Sequence, residues 1–331
     1  MTARRGPHAV VILVALAVAA RAAAGESPTF VGPAMGTTYR VVLAAVPAAL
    51  TPGELHREIE AVLARIDRAA STWREDSDAS RFNRAAAGEW LEVADELVEM
   101  IEIARSVHRD SQGAFDVTAA APAPRPAAAA AVRADESAGV TPPAPAMESA
   151  PTIPCTGMDG IETRRAAAGR SAAIRKPRAG TTIDLGGIGP GYAVDQMGAR
   201  LVALGSRAHL VELGGEVRGW GRPHGGGAWR VLVRAAGPAT GAERVIELAD
   251  GDAIAASTLR PGRSPIDPRT GRPVAGSGRT VLVRADSCSR ADAWAVAALV
   301  LGLAADADGV VTAPPAPSTP AARPAATRAV P

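Results

Sequence analysis

Aromatic side chains are scarce, at 3% of 331 residues, and lysine is almost absent beside many arginines. A core therefore has to be assembled from aliphatic and alanine side chains, with helices packing through small residues. Two cysteines, Cys155 and Cys288, with no CxxC and no Cys/His spacing, exclude a cysteine-based metal site. They stand far apart in the sequence, and export would permit a disulfide between them without requiring one. The N-terminal apolar run, Ala9 to Ala20, is too short for a comfortable transmembrane helix. It follows Arg4 and Arg5 and precedes Ala22-Ala23-Ala24, the layout of a secretory signal over residues 1–24 cleaved near Gly25. Arg21 just after the run is unusual in such a segment, so an uncleaved anchor is the alternative, and no cysteine stands at the cleavage point to carry a lipid. Charge of one sign is missing as well. Loss of residues 1–24 removes Arg4, Arg5 and Arg21 and no acid from a total of 36 bases and 34 acids, leaving a nearly neutral chain. Neither a nucleic acid nor an anionic membrane is implied as a partner. No internal repeat of solenoid or propeller length is visible.

What is present is a hydrophobic content of 47%, enough for one large globular domain or two intimate ones. Met35-Gly36-Thr37-Thr38-Tyr39 leads into a β-branched strand at residues 40–43. Thr51 as N-cap, Pro52 in the first turn and Glu54 completing a capping box predict a helix over 52–70, with Leu55, Ile59, Val62 and Ile66 on its core face. A second amphipathic helix is predicted over 94–109, ending near Gly113. Residues 119–154 are alanine- and proline-rich and read as a low-complexity insertion. Val194, Met197, Leu201 and Leu204 mark a helix closed by Gly205. Strands are predicted at about 209–213, 229–235, 244–248 and 280–285, and a last apolar helix at about 291–302. Residues 304–331, rich in Pro, Ala and Thr, read as a disordered tail without a closing strand. Strands in separate runs with helices at intervals predict an α+β fold rather than a doubly wound parallel sheet.

The most informative stretch runs from Ile183 through Asp184-Leu185-Gly186-Gly187-Ile188-Gly189-Pro190-Gly191 to Asp195. Its glycines let backbone amides approach a ligand without a β-carbon in the way, and a following helix N-terminus favours an anionic group such as a pyrophosphate. A glycine-rich turn with no ligand is the plain alternative. Five other segments bear weighing beside it. They are Met35-Gly36-Thr37; Ser71-Thr72-Trp73 with Ser80-Arg81-Phe82-Asn83; Gly113-Ala114-Phe115-Asp116-Val117-Thr118; Leu213-Gly214-Gly215-Glu216; and Ile266-Asp267-Pro268-Arg269-Thr270-Gly271 followed by Ala291-Asp292-Ala293-Trp294-Ala295-Val296-Ala297. Singly each has a structural explanation: Trp73 a core or rim aromatic, Asn83 a cap, the Asp267 to Gly271 run a turn, Asp292 a helix cap.

Taken in order, these segments resemble the ApbE family of exported FAD:protein FMN transferases, from about Met35 to Gly302 with a gap in the alanine-proline region. The resemblance implies that FAD is split at its pyrophosphate and that its FMN half is joined to a threonine or serine of an acceptor protein, with release of AMP. It implies a single large domain of mixed and antiparallel sheets over residues 30–303, Mg²⁺ as the cation, a membrane redox subunit as the acceptor, and a periplasmic or extracytoplasmic location. By matching positions, Met35, Trp73, Ala114, Phe115, Asp116, Asp184, Pro190 and Ile266 would line the FAD site. Gly187, Asp292, Ala295 and Val296 occupy the metal-binding positions.

The chain departs from the family pattern at several of these positions. Ser264 stands where the family has its catalytic histidine, and a serine cannot serve as a base at neutral pH as imidazole can. Pro190 replaces a common lysine, Val296 replaces an oxygen-bearing threonine, and Trp73 stands where tyrosine is frequent. Ser257-Thr258-Leu259 replaces the usual serine-glycine-tyrosine segment. A relative that binds FAD without transferring FMN, or one that hydrolyses FAD, is the alternative. Asp267 and Glu216 lie near enough to motifs to be weighed as substitutes for the histidine.

Overall fold

The structure is a computed structural model that describes residues 14–15, 27–119, 157–234, 243–259, 264–276, 278–306 and 309–316. The strands are β1 Val14–Ala15, β2 Thr29–Ala34, β3 Thr37–Leu43, β4 Leu91–Glu92, β5 Glu162–Arg164, β6 Ala173–Arg175, β7 His209–Leu213, β8 Glu216–Trp220, β9 Trp229–Arg234, β10 Glu243–Leu248, β11 Ala253–Thr258, β12 Ile266–Asp267, β13 Arg272–Pro273, β14 Thr280–Ala285 and β15 Val311–Thr312. The helices are α1 Pro52–Ala70, α2 Asp78–Arg84, α3 Asp95–Asp110, α4 Gly189–Ala203 and α5 Cys288–Leu301. Apart from Val14–Ala15, which pair with β9, the expected signal lies outside the described residues, as does all of the low-complexity insertion except Ala119.

A seven-stranded sheet in the order β15-β14-β11-β8-β7-β3-β2 forms the centre. Its pairs are antiparallel except for β14 with β15, which gives the mixed sheet of an α+β fold. The period-two alternation of strand side chains divides its residues between two cores. Val41, Leu43, Val211, Leu213, Ala253, Ala255, Val281 and Val283 face α4 and α5. Val42, Leu210, Val217, Ile254 and Leu282 face the β9–β10 hairpin with its Trp229, Val231 and Ile246. Helices α1 and α3 pack outside α4 and α5 respectively.

Small residues set how closely these layers approach. Almost every residue of the first three turns of α5 is buried, and alanine at 291, 293, 295, 297 and 298 lets neighbours in on all sides. At Gly191 a β-carbon would collide with the Cys288 carbonyl, so glycine alone permits the contact between α4 and α5. That packing explains why α4 starts at Gly189, ahead of the Val194 at which apolar periodicity begins: the glycine run is the helix's first turn. Helix α1 has the expected bounds and its Thr51–Glu54 capping box closes in both directions.

Three strands of the central sheet carry no visible strand signal. β2 contains Gly32 and Pro33, β8 is Glu-Val-Arg-Gly-Trp, and β11 is Ala-Ile-Ala-Ala-Ser-Thr. Pairing on both sides, as β8 and β11 have, supplies what their side chains do not. The disordered-tail expectation also needs correction over residues 309–316, while 307–308 and 317–331 lie outside the described residues. The chain continues past Leu303 into β15, which pairs Val283 with Val311, buries Val310 and Ala313, and brings the Pro314 carbonyl 2.9 Å from the Arg290 guanidinium. A closing strand exists because β14 offers a free edge to even a short apolar segment.

Candidate active site

One end of the sheet gathers the motif segments. Met35 and Gly36 form the two-residue turn between β2 and β3, with φ of 49° and 76°, the left-handed pair that a tight hairpin requires. The Met35 side chain reaches α4: its Cε lies 3.4 Å from where a β-carbon would stand on Gly189. The neighbouring hairpin, β7 to β8, turns at Gly214 and Gly215, and Thr37 packs against Gly214. Glu216 follows that turn directly and is buried.

The glycine run is pinned from two sides. The Asn83 side chain pairs with the backbone of Ile183 in both directions, Ile183 N–H donating to Oδ1 at 2.7 Å and Nδ2 donating to the carbonyl at 3.0 Å. Asn83 is thus a clamp on the motif rather than the cap its sequence context suggests. The single lysine, Lys176, is buried and donates Nζ to the carbonyls of Phe82, Asn83 and Thr181 at 2.9 to 3.1 Å. Burial holds its pKa below the usual range, and neutral carbonyls are its partners. Asp184 receives Gly186 N–H on Oδ1 at 2.8 Å, and its own N–H goes to the Val117 carbonyl at 2.8 Å. This last bond joins the glycine run to the Gly-Ala-Phe-Asp segment.

That segment leaves α3 through Gln112 and Gly113, at φ of 54° and 80°. Asp116 is almost wholly enclosed and takes Thr118 N–H and Oγ1–H on Oδ1 at 2.7 and 2.6 Å. Ala114 and Phe115 are buried, and the Phe115 ring comes within 3.4 Å of a β-carbon position on Gly187. The same β-carbon position lies 3.0 Å from Val296 Cγ2. Gly187, Asp292, Ala295 and Val296 are therefore brought together where α4 begins and α5 passes. Val296 presents a methyl group there and adds no side-chain donor oxygen. Pro190 lies in the first turn of α4 and contributes no N–H.

Asp195, the last residue of the glycine motif, has a different part. It accepts Cys288 N–H, Ser289 N–H and Ser289 Oγ–H at 2.8 to 2.9 Å and pairs with Arg218 at 2.6 Å. A side chain of α4 thereby caps α5, and α5 is held in the register that places Asp292 beside Gly191. Gly191 N–H donates to Asp292 Oδ2 at 3.0 Å.

Asp292 and Glu216 are both buried and among the described residues neither makes a salt bridge. Burial pushes Asp292 up to about 7. Burial, and then repulsion from Asp292, pushes Glu216 well above the carboxylate range. Such a pair calls for positive charge. Among the described residues no group of three His, Cys, Asp or Glu side chains could hold a metal. A cation here would thus depend on Asp292 supplemented by backbone carbonyls and oxygens of a bound substrate, which suits a hard ion such as Mg²⁺.

Trp73 and the β12–β13 hairpin stand at the periphery. Trp73 is 59% exposed, free to stack on a ring. Ser264 and Ile266 are half-buried. Asp267 is occupied by its own turn, accepting Arg269 N–H at 3.0 Å and Nε–H at 2.9 Å, and these bonds hold its pKa below the usual range. It is therefore a poor substitute for a histidine base. Sequence reasoning passed over Lys176, although a lone lysine in an arginine-rich chain was a signal, and over His108, whose relevance no sequence pattern announced.

A family model described as the ApbE family matches residues 35–313. The chain belongs to the ApbE family. Its ApbE match runs through β15, beyond the boundary expected at 303. The FAD:protein FMN transferase of Haemophilus influenzae is 28% identical over 310 residues, covering 88% of this chain and 86% of that protein. The Vibrio cholerae protein of the same name is 28% identical over 311 residues, covering 88% and 87%. Among solved structures, the flavin transferase ApbE from Vibrio cholerae superposes with a TM-score of 0.67 at 27% identity, over 85% of this chain and 88% of that one. The apo form of the flavinyl transferase ApbE from Pseudomonas stutzeri gives 0.66 at 28% identity, over 86% of each chain.

Proposed function

We propose that this protein is an exported, Mg²⁺-dependent transferase that moves FMN from FAD to a threonine or serine of a partner protein and releases AMP. The observation that carries the reading is the convergence of Met35, Phe115 and Asp292 on the Asp184 to Gly191 run in a chain whose relatives along nearly their whole length are named FAD:protein FMN transferases. Ala114 to Asp116, Asp184 and Met35 would form the flavin and pyrophosphate cradle, with Trp73 and Ile266 closing over it. The uncapped N-terminus of α4 would face phosphate oxygens. Asp292, with the carbonyls of Gly187 and Ala295, would hold the cation, whose charge offsets the charge that develops on the phosphates during transfer. The acceptor would be a redox subunit on the outer face of the cytoplasmic membrane.

A second reading, a flavin-binding relative that does no transfer, draws on Ser264, Pro190 and Val296. One assay separates the two. Mature protein is mixed with FAD and Mg²⁺, with and without Thr- and Ser-containing peptides, while AMP and peptide mass are followed. Acceptor-dependent AMP with an FMN mass increment is the expected result. FAD that is bound and remains intact would establish the second reading, and FMN released without acceptor would indicate a hydrolase.

A further inference from the structure

The transfer needs a group to take the proton from the acceptor hydroxyl, and Ser264 is not one. Among the described histidines, His56 bonds Tyr39 Oη at 2.7 Å on the outer side of α1, His209 is buried against Trp220, and His224 lies on an exposed loop. His108, at the end of α3, is different. Its Nδ1 lies 2.8 Å from the Phe115 carbonyl and 3.7 Å from Asp116 Oδ2, two residues of the flavin cradle. A carbonyl oxygen can only accept, so Nδ1 carries the proton and the lone pair resides on Nε2. The side chain is 18% exposed, so the ring is gripped yet reachable.

Position completes the case. The β12–β13 hairpin, which carries Ser264 ahead of β12 and lacks the imidazole, brings its turn residue Arg269 to Gly113. A β-carbon on Gly113 would lie 3.8 Å from Arg269 Cγ of that hairpin and 3.8 Å from His108 Cε1. The histidine and the hairpin therefore meet over one glycine. A base fixed in one tautomer by a backbone carbonyl has the parts an activated hydroxyl requires.

We propose that His108 supplies the general base for the acceptor hydroxyl. This rests on the transferase reading above. Nε2 takes the proton as the acceptor oxygen bonds to the FMN phosphorus, the bond from that phosphorus to the bridging oxygen breaks, and AMP leaves with the electron pair. The imidazolium then returns its proton to solvent.

The test is His108→Asn, whose amide can keep the bond to the Phe115 carbonyl while removing Nε2. Transfer to a Thr-containing peptide should fall about 10²- to 10⁴-fold in kcat, with FAD affinity measured by calorimetry unchanged. Adding Ser264→His to that variant should restore transfer. His108→Asn protein that transfers at the original rate overturns the assignment while leaving the transferase reading intact, and a loss that Ser264→His leaves untouched also overturns it. An unmutated protein that binds FAD but releases no AMP with any acceptor defeats the transferase reading itself, and the assignment with it.

Discussion

Single residues in this protein are governed by whether their polar atoms find partners once buried. Among the described residues Asp292 and Glu216 have no cationic side-chain partner, whereas Lys176 is held by three carbonyls. Replacing Asp292 with Asn should remove divalent-cation dependence together with transfer, leaving FAD affinity in the absence of metal within about twofold; an FMN mass increment at the original rate would refute the ligand role. His209 gives a pH prediction. It is stacked on Trp220 at 4.8 Å, bonded to Ser206 at 3.0 Å, and burial lowers its pKa to about 4. Between about pH 6.5 and 4 the unfolded chain therefore binds a proton that the folded protein refuses. Stability is full above the unfolded value and falls as pH drops through this window, by up to about 3 kcal/mol. Urea midpoints at pH 7 and pH 4.5 should differ less in His209→Gln than in the original protein, and an identical difference would sink the assignment.

Elements were legible wherever a local pattern matched local energetics. Helix α1 could be drawn from Thr51, Pro52, Glu54 and the spacing of Leu55, Ile59, Val62 and Ile66, because its cap and its buried face are both encoded within one stretch. The opposite case is β11, where alanines and a serine become a central strand only because β8 and β14 flank them. Helix α5 lies between these extremes: its apolar run is visible, but the residue that caps it, Asp195, sits on another helix. Asp195→Ala should cost about 3 kcal/mol, since it leaves the amides of Cys288 and Ser289 without an acceptor and takes from Arg218 its carboxylate partner. Chemical denaturation measures this, and a loss below about 0.5 kcal/mol would show that α5 is anchored by packing alone. Gly191→Ala should be nearly as damaging, by about 1 to 3 kcal/mol, because the added methyl meets the Cys288 backbone.

For the whole molecule, the central sheet is a shared wall between an α-helical core and a smaller core under the β9–β10 hairpin, and its last strand comes from the segment that composition marks as tail. Ending the chain at Leu303 should bare the β14 edge, expose Ala285 and Val283, and leave Arg290 without the Pro314 carbonyl. The expected loss is about 2 to 3 kcal/mol with increased aggregation on heating, read by differential scanning calorimetry; an unchanged Tm would mean that β15 adds nothing. Sequence alone determined the family resemblance, the α+β class and the glycine run, because those depend on residue type and order over short stretches. It also recorded the loss of the expected histidine at Ser264. Only the tertiary structure decided that Asn83 clamps the glycine run, that Lys176 ties Phe82 and Asn83 to Thr181 just ahead of it, that Asp195 caps α5, that Glu216 faces Asp292, and that His108 and Arg269 of the β12–β13 hairpin both approach Gly113. Each of those is a contact between residues distant in the chain, and its partner is chosen by how the layers pack rather than by any pattern within reach of one helix or strand.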